Sequence, residues 1–217
     1  NLITFSSETE PGILELIATP EVQRLRHVQQ LSVTYLAYPS ATHSRFTHSL
    51  GAAFLMKQVL ARLIELAENK DKRLARTIKN HRLALIAAAL LHDIGHYPLS
   101  HLFEPIVGEY HENNSVCLIL YKNSDVHGRL EEMSKCMARD VADIINKSFK
   151  PAFLTHLLSS QLDVDRFDYL LRDTHYTGAQ YGEFDLTWLI HSLDLVKHKK
   201  EWRLAVDERK GLHAVER

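Results

Sequence analysis

Hydrophobic residues recur at helical spacing through most of the chain. From His48 to about Glu68 the apolar side chains fall along one face, as in an amphipathic helix. Residues 81–94 are apolar almost all round and rich in Ala and Leu, which favours a central buried helix. Gly95 and Pro98 end that segment. The same spacing predicts a helix that begins at Pro20 and further helices at about 111–122, 129–147, 150–159, 162–173 and 185–195.

The segments between these helices carry turn and loop signals. The first dozen residues are polar, residues 32–47 combine Pro39 with several Ser and Thr, and the charged run 68–73 predicts a loop. Residues 200–206 alternate between polar and apolar positions, which predicts a short strand. Glycine (8) and proline (6) are too scarce for an all-β sandwich. The prediction is therefore an all-α fold, a single helical bundle with a small β-hairpin near the C-terminus.

Composition and charge exclude several classes of protein. The 26 basic and 27 acidic residues give a net charge of −1, so no global basic field attracts nucleic acid. The longest apolar run, Leu83 to Leu91, has nine residues, whereas a membrane-spanning helix needs about 18. Cys117 and Cys136 match neither a disulfide framework nor a zinc finger, so we expect a reducing, cytoplasmic setting. The chain begins at Asn1 rather than Met, and we expect it to be a piece of a longer protein.

Candidate chemistry begins at the end of the apolar helix, with His92 and Asp93. A carboxylate there is costly unless it reaches solvent, is paired or binds a metal. An isolated His–Asp pair is more often an ordinary helix end, but the chain holds 14 histidines and several acidic clusters nearby. Imidazole and carboxylate together suit a divalent metal or general acid–base catalysis. The clustered residues are His43, His48, His96, His101, His111, Glu112, Asp163, Asp165, Asp168 and Asp173.

Three blocks of sequence carry a resemblance to a known family. They are THSRFTHSLG at 42–51, LHDIGHYPLSH at 91–101 and DVDRFDY at 163–169. In this order they resemble the H…HD…D signature of the HD-domain phosphohydrolases, and most closely the branch of deoxynucleoside triphosphate (dNTP) triphosphohydrolases. QRLR at 23–26 and QL at 30–31 strengthen the likeness. The resemblance implies one HD domain over 1–217, incomplete at its C-terminal end, with core motifs within 20–178.

The resemblance implies a single bound divalent ion, Mn, Fe, Zn, Ni or Mg. Its ligands would be His48, His92, Asp93 and Asp165. Asp163 is the rival for the last position, because two residues separated by one other on a helix point about 200° apart and cannot both face the ion. The resemblance favours Asp165, and it leaves Asp163 as a carboxylate at the start of a helix.

The resemblance also implies roles in substrate binding and catalysis. His96, His101 and His111 would line the phosphate pocket, with His111 as proton donor and Glu104 in the place where the family has an Asp. Arg45 and Arg166 would clamp phosphates, since a guanidinium binds phosphate through two donors. Tyr169 would contact the sugar or the phosphates, and the deoxyribose would be read by Gln30, Leu31 and Asp173.

The function implied is hydrolysis of dNTPs to deoxynucleoside and triphosphate, by attack of metal-activated water at the α-phosphorus. The alternative is a phosphodiesterase, nuclease or other nucleotide phosphohydrolase with the same metal site. A nucleic-acid strand would need a basic, aromatic groove, for which Lys197 to Lys200 with Trp202 is the candidate, although a solvated surface run is the simpler interpretation. A non-catalytic protein is disfavoured because no ligand is missing. The resemblance also implies a homo-oligomer, and Gly211 to Arg217 resemble the start of a further helical region.

Overall fold

A computed structural model describes residues 2–207. Within this range the chain is helical apart from one C-terminal hairpin, which confirms the predicted fold class. The helices are α1 (Ile13–Ile17), α2 (Pro20–Gln23), α3 (Arg45–Lys70), α4 (Lys72–Leu91), α5 (Glu104–Val107), α6 (His111–Leu120), α7 (Asp125–Met133), α8 (Met137–Ile145), α9 (Val164–Thr177) and α10 (Leu186–Ser192). Short 3₁₀ segments lie at Arg24–His27, Thr34–Leu36, Ser100–Leu102 and Ala152–Leu157. Strands β1 (Leu193–His198) and β2 (Glu201–Val206) pair antiparallel.

The centre of the fold is the helical hairpin formed by α3 and α4. The loop predicted at 68–73 is wrong, because α3 continues to Lys70 and α4 begins at Lys72. Asp71 alone breaks the helix, and its carboxylate caps α4 by accepting from the backbone N–H groups of Arg73 and Leu74. The last turns of α4, from Ala84 onward, are buried, as the apolar pattern predicted.

Other helix bounds differ from the sequence prediction. The helix predicted at 129–147 is two helices, α7 and α8, separated where Cys136 adopts a left-handed φ of 68°. The segment predicted as a helix at 150–159 contains the 3₁₀ helix Ala152–Leu157. The helix predicted to begin at Pro20 consists of the short α2 followed by the 3₁₀ segment Arg24–His27. The helix predicted at 185–195 stops at Ser192, because the next residues pair as β1. Gly211 to Arg217 lie outside the described residues.

Packing against α3 places the remaining elements around the site. Helix α9 and strand β1 both contact α3, and the ion pair between Lys70 and Asp194 fixes the start of the hairpin. The N-terminal segment is anchored by the fully buried Glu10, which pairs with Lys57 of α3 and Arg82 of α4. None of the helices in residues 2–207 has the length and apolar character needed to cross a membrane.

Candidate metal centre and active site

Three helices bring the predicted metal ligands to one point. His48 comes from the first turn of α3, His92 and Asp93 follow α4, and Asp165 lies in the first turn of α9. Asp165 Oδ1 is 3.0 Å from His48 Nε2 and 3.5 Å from His92 Nε2. These three atoms lie close enough together to hold one ion. The spacing therefore fits a divalent metal with two imidazole ligands and one carboxylate ligand.

The two imidazoles are oriented by hydrogen bonds on their far sides. His48 Nδ1 lies 2.9 Å from Asp168 Oδ2, and His92 Nδ1 lies 2.9 Å from the carbonyl oxygen of Ala89. Each acceptor holds a proton on Nδ1, so once Nε2 is deprotonated its lone pair faces Asp165 and is available to a metal ion. His92 Nε2 is buried and has no hydrogen-bond partner among residues 2–207. An unpartnered imidazole lone pair facing a carboxylate is what a metal site requires, so these residues fit the implied ion.

Charges at this point are strongly coupled. Burial alone would lower the pKa of His48, but the hydrogen bonds to Asp165 and Asp168 raise it to about 10. Burial would raise the pKa of Asp165, and its contacts with His48 and His92 instead hold that pKa below its usual range. Without a bound ion, these pKa values therefore favour a protonated His48 beside an ionised Asp165. A divalent ion would supply the same positive charge, so binding it would release protons.

Asp93 lies beside this trio and is held by an arginine. Its Oδ2 accepts a 2.6 Å hydrogen bond from Arg45 Nη1, and its Oδ1 is 3.4 Å from both His92 Nε2 and His96 Nε2. Although burial favours the neutral acid, Arg45 and then His92 hold the pKa of Asp93 well below its usual value. Asp93 therefore remains ionised beside the other candidate ligands.

Asp163 faces away from the trio and caps helix α9. Its carboxylate accepts from the backbone N–H of Arg166 at 2.8 Å and of Ser160 at 2.5 Å. Burial raises the pKa of Asp163 to about 6. This geometry matches the helix-start role that the sequence left as the alternative for Asp163, and it leaves Asp165 as the carboxylate beside His48 and His92.

A second cluster of histidines lies next to the first. Glu104 Oε1 is 2.5 Å from His111 Nδ1, and its Oε2 is 3.2 Å from His101 Nδ1. The ring of His96 stacks on that of His111 with centroids 3.8 Å apart. Burial would raise the pKa of Glu104, but hydrogen bonds to His111 and His101 lower it to about 2. Burial lowers the pKa of His96 to about 4, so this imidazole is neutral at pH 7.

Residues of both clusters line an open cleft of about 620 Å³, although His48 and Glu104 are not among them. Tyr110, Asn113, Asn146 and Lys147 also line it, and the sequence analysis assigned none of them a role. The predicted site residues that line it are Gln30, Arg45, His92, Asp93, His96, His101, His111, Asp165 and Tyr169.

Three predicted substrate contacts lie outside the lining of the cleft. They are Leu31, Arg166 and Asp173. Arg166 donates from Nε to the carbonyl of Ser160 at 3.0 Å, and Asp173 is buried against His43 Nε2 at 2.7 Å. The substrate roles of Leu31, Arg166 and Asp173 stay predictions. In this arrangement neither Arg166 nor Asp173 lines the cleft.

Asp168 belongs to the acidic cluster named from the sequence, and the structure gives it a role that the sequence did not suggest, which is to position His48. Arg172 holds its carboxylate with two hydrogen bonds of 2.8 Å, while Asp168 Oδ2 accepts from His48. The pair packs on Gly51, where a Cβ atom would stand 1.8 Å from Asp168 Oδ1. The signal available in the sequence was the spacing: Asp168 follows Asp165 by three residues, so the two share a helix face.

Comparison with known proteins identifies the family. A model of the HD domain matches residues 45–173, which is more than half of the 217 residues. The chain belongs to the HD-domain family. The match contains the four predicted metal ligands and the second histidine cluster, so the resemblance seen in the sequence is confirmed.

Relatives of this HD domain include proteins with and without an assigned activity. An uncharacterized protein of Bacillus subtilis, YwfO, is 39% identical over 94% of this chain and 44% of its own length. The deoxynucleoside triphosphate triphosphohydrolase SAMHD1 homolog of Dictyostelium discoideum is 32% identical over 79% of this chain and 34% of its own length. A crystal structure of a phosphohydrolase from Bacteroides thetaiotaomicron superposes with a TM-score of 0.75 at 33% identity, over 94% of this chain and 47% of the other. The chain thus spans less than half the length of each of these relatives.

Proposed function

We propose that this HD domain is a metal-dependent phosphohydrolase that converts dNTPs to deoxynucleoside and triphosphate. The observation that carries the proposal is the convergence of His48 Nε2, His92 Nε2 and Asp165 Oδ1, of which His92 and Asp165 line the 620 Å³ cleft. Membership of the HD family and the name of the Dictyostelium relative support the choice of reaction. Homo-oligomerisation, which the resemblance implied, stays a prediction.

The metal centre would be built by His48, His92, Asp93 and Asp165. A bound divalent ion, Mn, Fe, Zn, Ni or Mg, would neutralise charge on the phosphoryl oxygens and lower the pKa of a bound water. Asp168 and the Ala89 carbonyl keep the Nε2 atoms of His48 and His92 facing the site. Arg45 keeps Asp93 ionised and in place through the 2.6 Å ion pair between them.

The second histidine cluster would handle the leaving group. Water attack at the α-phosphorus breaks the bond to the sugar 5′-oxygen, and that oxygen needs a proton as it leaves. His111 can supply the proton from Nε2, because its Nδ1 is held by Glu104 at 2.5 Å. Glu104 remains ionised and stabilises the imidazolium form that precedes the transfer. His96, neutral and stacked on His111, offers a hydrogen bond to phosphate without adding a charge.

The cleft supports a nucleotide substrate better than a nucleic-acid strand. Gln30 lines the cleft, and its Oε1 is buried with no hydrogen-bond partner in the described range, so it can accept a bond from a sugar hydroxyl. The basic hairpin proposed as a strand groove contributes no residue to the lining of this cleft. Lys197 packs instead over the ring of Trp202, with Nζ 5.6 Å from the ring centroid.

Product analysis tests the proposal. The full-length protein would be incubated with each dNTP and each NTP in the presence of Mn²⁺, and the products separated by ion-exchange chromatography. We expect deoxynucleoside and intact triphosphate. The matched control is Asp165→Asn, which removes a charged ligand but keeps the shape of the side chain; its turnover should fall at least about 10³-fold, since several kcal/mol of charge stabilisation is lost.

Three results would contradict the proposal. Release of inorganic phosphate or pyrophosphate would place the cleavage at another phosphorus. Equal turnover by the wild type and Asp165→Asn would show that a contaminant performs the reaction. If the wild type hydrolyses single-stranded DNA or RNA but no dNTP, the site belongs to the nuclease alternative.

A further inference from the structure

A cleft that binds a polyphosphate must neutralise its negative charge, but the two arginines predicted to do so already have other partners. Arg45 is 3% exposed and is bound to Asp93 and to Ser100 Oγ. Arg166 lies outside the lining of the cleft and donates to a backbone carbonyl. A bound metal ion would offset part of the charge of a polyphosphate, and the remaining charge favours a side-chain cation that is free to pair with it.

Lys147 is such a cation. It lines the cleft and is exposed to solvent. Within residues 2–207 its ammonium group has no ion-pair partner. It stands in the segment that follows α8, so it approaches the cleft from a different element than the metal ligands do.

The backbone at Lys147 carries an independent signal. Helix α8 ends in a Schellman motif: the N–H of Ser148 donates to the carbonyl of Asp143 at 2.9 Å, and the N–H of Lys147 donates to that of Ile144 at 3.1 Å. Lys147 occupies the left-handed position of this motif, with φ of 61°. Glycine is the residue that adopts this conformation without strain.

Other helix ends in the molecule follow that preference. The left-handed positions after α5 and α9 are occupied by Gly108 and Gly178, each with φ of 73°. Neither glycine lines the cleft. The left-handed helix end that does line the cleft carries a lysine, at a cost in backbone strain. Strained residues of this kind concentrate at functional sites.

We propose that Lys147 binds the polyphosphate of the substrate. This inference rests on the proposed function, because it assigns the phosphate-binding cation of that same cleft. A purely structural role is the competing explanation: a cation at a helix C-terminus interacts favourably with the helix dipole. The two explanations differ in what they predict for polyphosphate affinity when the lysine is replaced by glycine.

The test variant is Lys147→Gly, with Lys200→Gly as its matched control. Lys200 is also exposed and left-handed, with φ of 72°, but it lies in the turn of the β-hairpin and does not line the cleft. Relief of strain should raise the melting temperature of both variants by about 2–4 °C. Binding of inorganic tripolyphosphate, measured by calorimetry in the presence of Mn²⁺, should weaken about tenfold in Lys147→Gly alone. Lys147→Arg, which keeps the charge, should restore most of the affinity.

Two outcomes would overturn the assignment. The first is equal tripolyphosphate affinity in the wild type and Lys147→Gly, or no measurable binding by the wild type. The second is a melting temperature that falls in Lys147→Gly with unchanged affinity, which is the result expected of a helix-dipole role. Because binding is read without turnover, this failure is distinct from failure of the proposed reaction, which the product analysis of the wild type decides.

Discussion

The two neighbouring histidine clusters use the same side chains under different constraints. In the metal centre, His48 and His92 each have Nδ1 fixed by an acceptor, and both Nε2 atoms point at one carboxylate oxygen. In the second cluster, His111 is fixed by Glu104 at Nδ1, while both nitrogens of His96 are buried with no hydrogen-bond partner in the described part of the chain. The candidate ligand atoms of each cluster lie within 4.8 Å of one another, so the two clusters differ in these hydrogen bonds and not in how closely their atoms approach.

This difference shows that the hydrogen bond on the far side of the ring determines what a histidine can do. An imidazole with a fixed tautomer and a buried neighbour is suited to ligate a metal. An imidazole paired with an ionised carboxylate at the edge of a cleft is suited to hold and release a proton. Residue type alone does not separate these roles, so the comparison has to be tested by substitutions that affect one cluster and spare the other.

The largest difference between the two clusters should appear when the variants His48→Gln and His111→Gln are compared. His48→Gln removes a ligand, so both bound metal and turnover should be lost. His111→Gln should reduce turnover by about 10²–10⁴-fold, the usual contribution of a positioned acid, with the metal content unchanged. Elemental analysis of the purified variants and turnover of dNTPs give the two readouts. Loss of metal in His111→Gln would contradict the division into two clusters.

A smaller effect is expected from Asp168→Asn, which acts through His48. Asparagine can still accept from His48 Nδ1, but its amide group would face Arg172, which now donates two hydrogen bonds to Asp168. Loss of such a supporting carboxylate lowers metal affinity by about 10–100-fold. Metal affinity would be measured by competition with a chelating dye. Asp185→Asn is the control, because the carboxylate of Asp185 caps α10 and asparagine caps a helix equally well.

Gly51→Ala reaches the same interaction without changing a charge. The added methyl group would stand 2.5 Å from Arg172 Nη2 and even closer to Asp168, so the pair must move. We expect metal affinity to fall in the same direction as in Asp168→Asn. If both variants fold normally and bind metal as the wild type does, Asp168 has no role in orienting His48.

The candidate metal ligands could be named from the sequence because they lie in short local motifs. The block 91–101 places His92 and Asp93 directly after a buried helix, helix geometry lets only one of Asp163 and Asp165 face the ion, and the family resemblance favours Asp165. The partners that orient these ligands are harder to predict, since Asp168 meets His48 across 120 residues of chain. The ion pair of Arg45 with Asp93 depends in the same way on how α3 packs against α4.

Helix ends were the other weak point of the prediction. Apolar spacing continues across the break between α7 and α8, so the hydrophobic periodicity does not indicate that Cys136 has a left-handed φ. The same is true of Lys147, where the usual glycine signal is absent. Asp71 shows the opposite error: its charged neighbours suggested a loop, whereas one capping residue suffices to join two long helices.

The smallest expected effect concerns the contribution of Glu104 to the free energy of unfolding. Because this contribution depends on pH, it distinguishes the cluster of Glu104 from the first cluster. The folded pKa of Glu104 is about 2, below the ordinary 4.5, so its stabilising contribution is complete above pH 4.5 and is lost as the pH falls from 4.5 towards 2. Glu104→Gln should therefore lower the free energy of unfolding by about 1–2 kcal/mol at pH 7, since its position at the edge of the cleft weakens the pairing. The difference from the wild type should shrink below pH 4.5. Glu112→Gln is the matched control, because that side chain is 54% exposed and 3.5 Å from the same His111 Nδ1, and surface pairs contribute little. Urea denaturation of the three proteins between pH 7 and pH 3 measures these differences, and a Glu104→Gln deficit that stays constant over this range would show that Glu104 supports His111 by packing and not by charge.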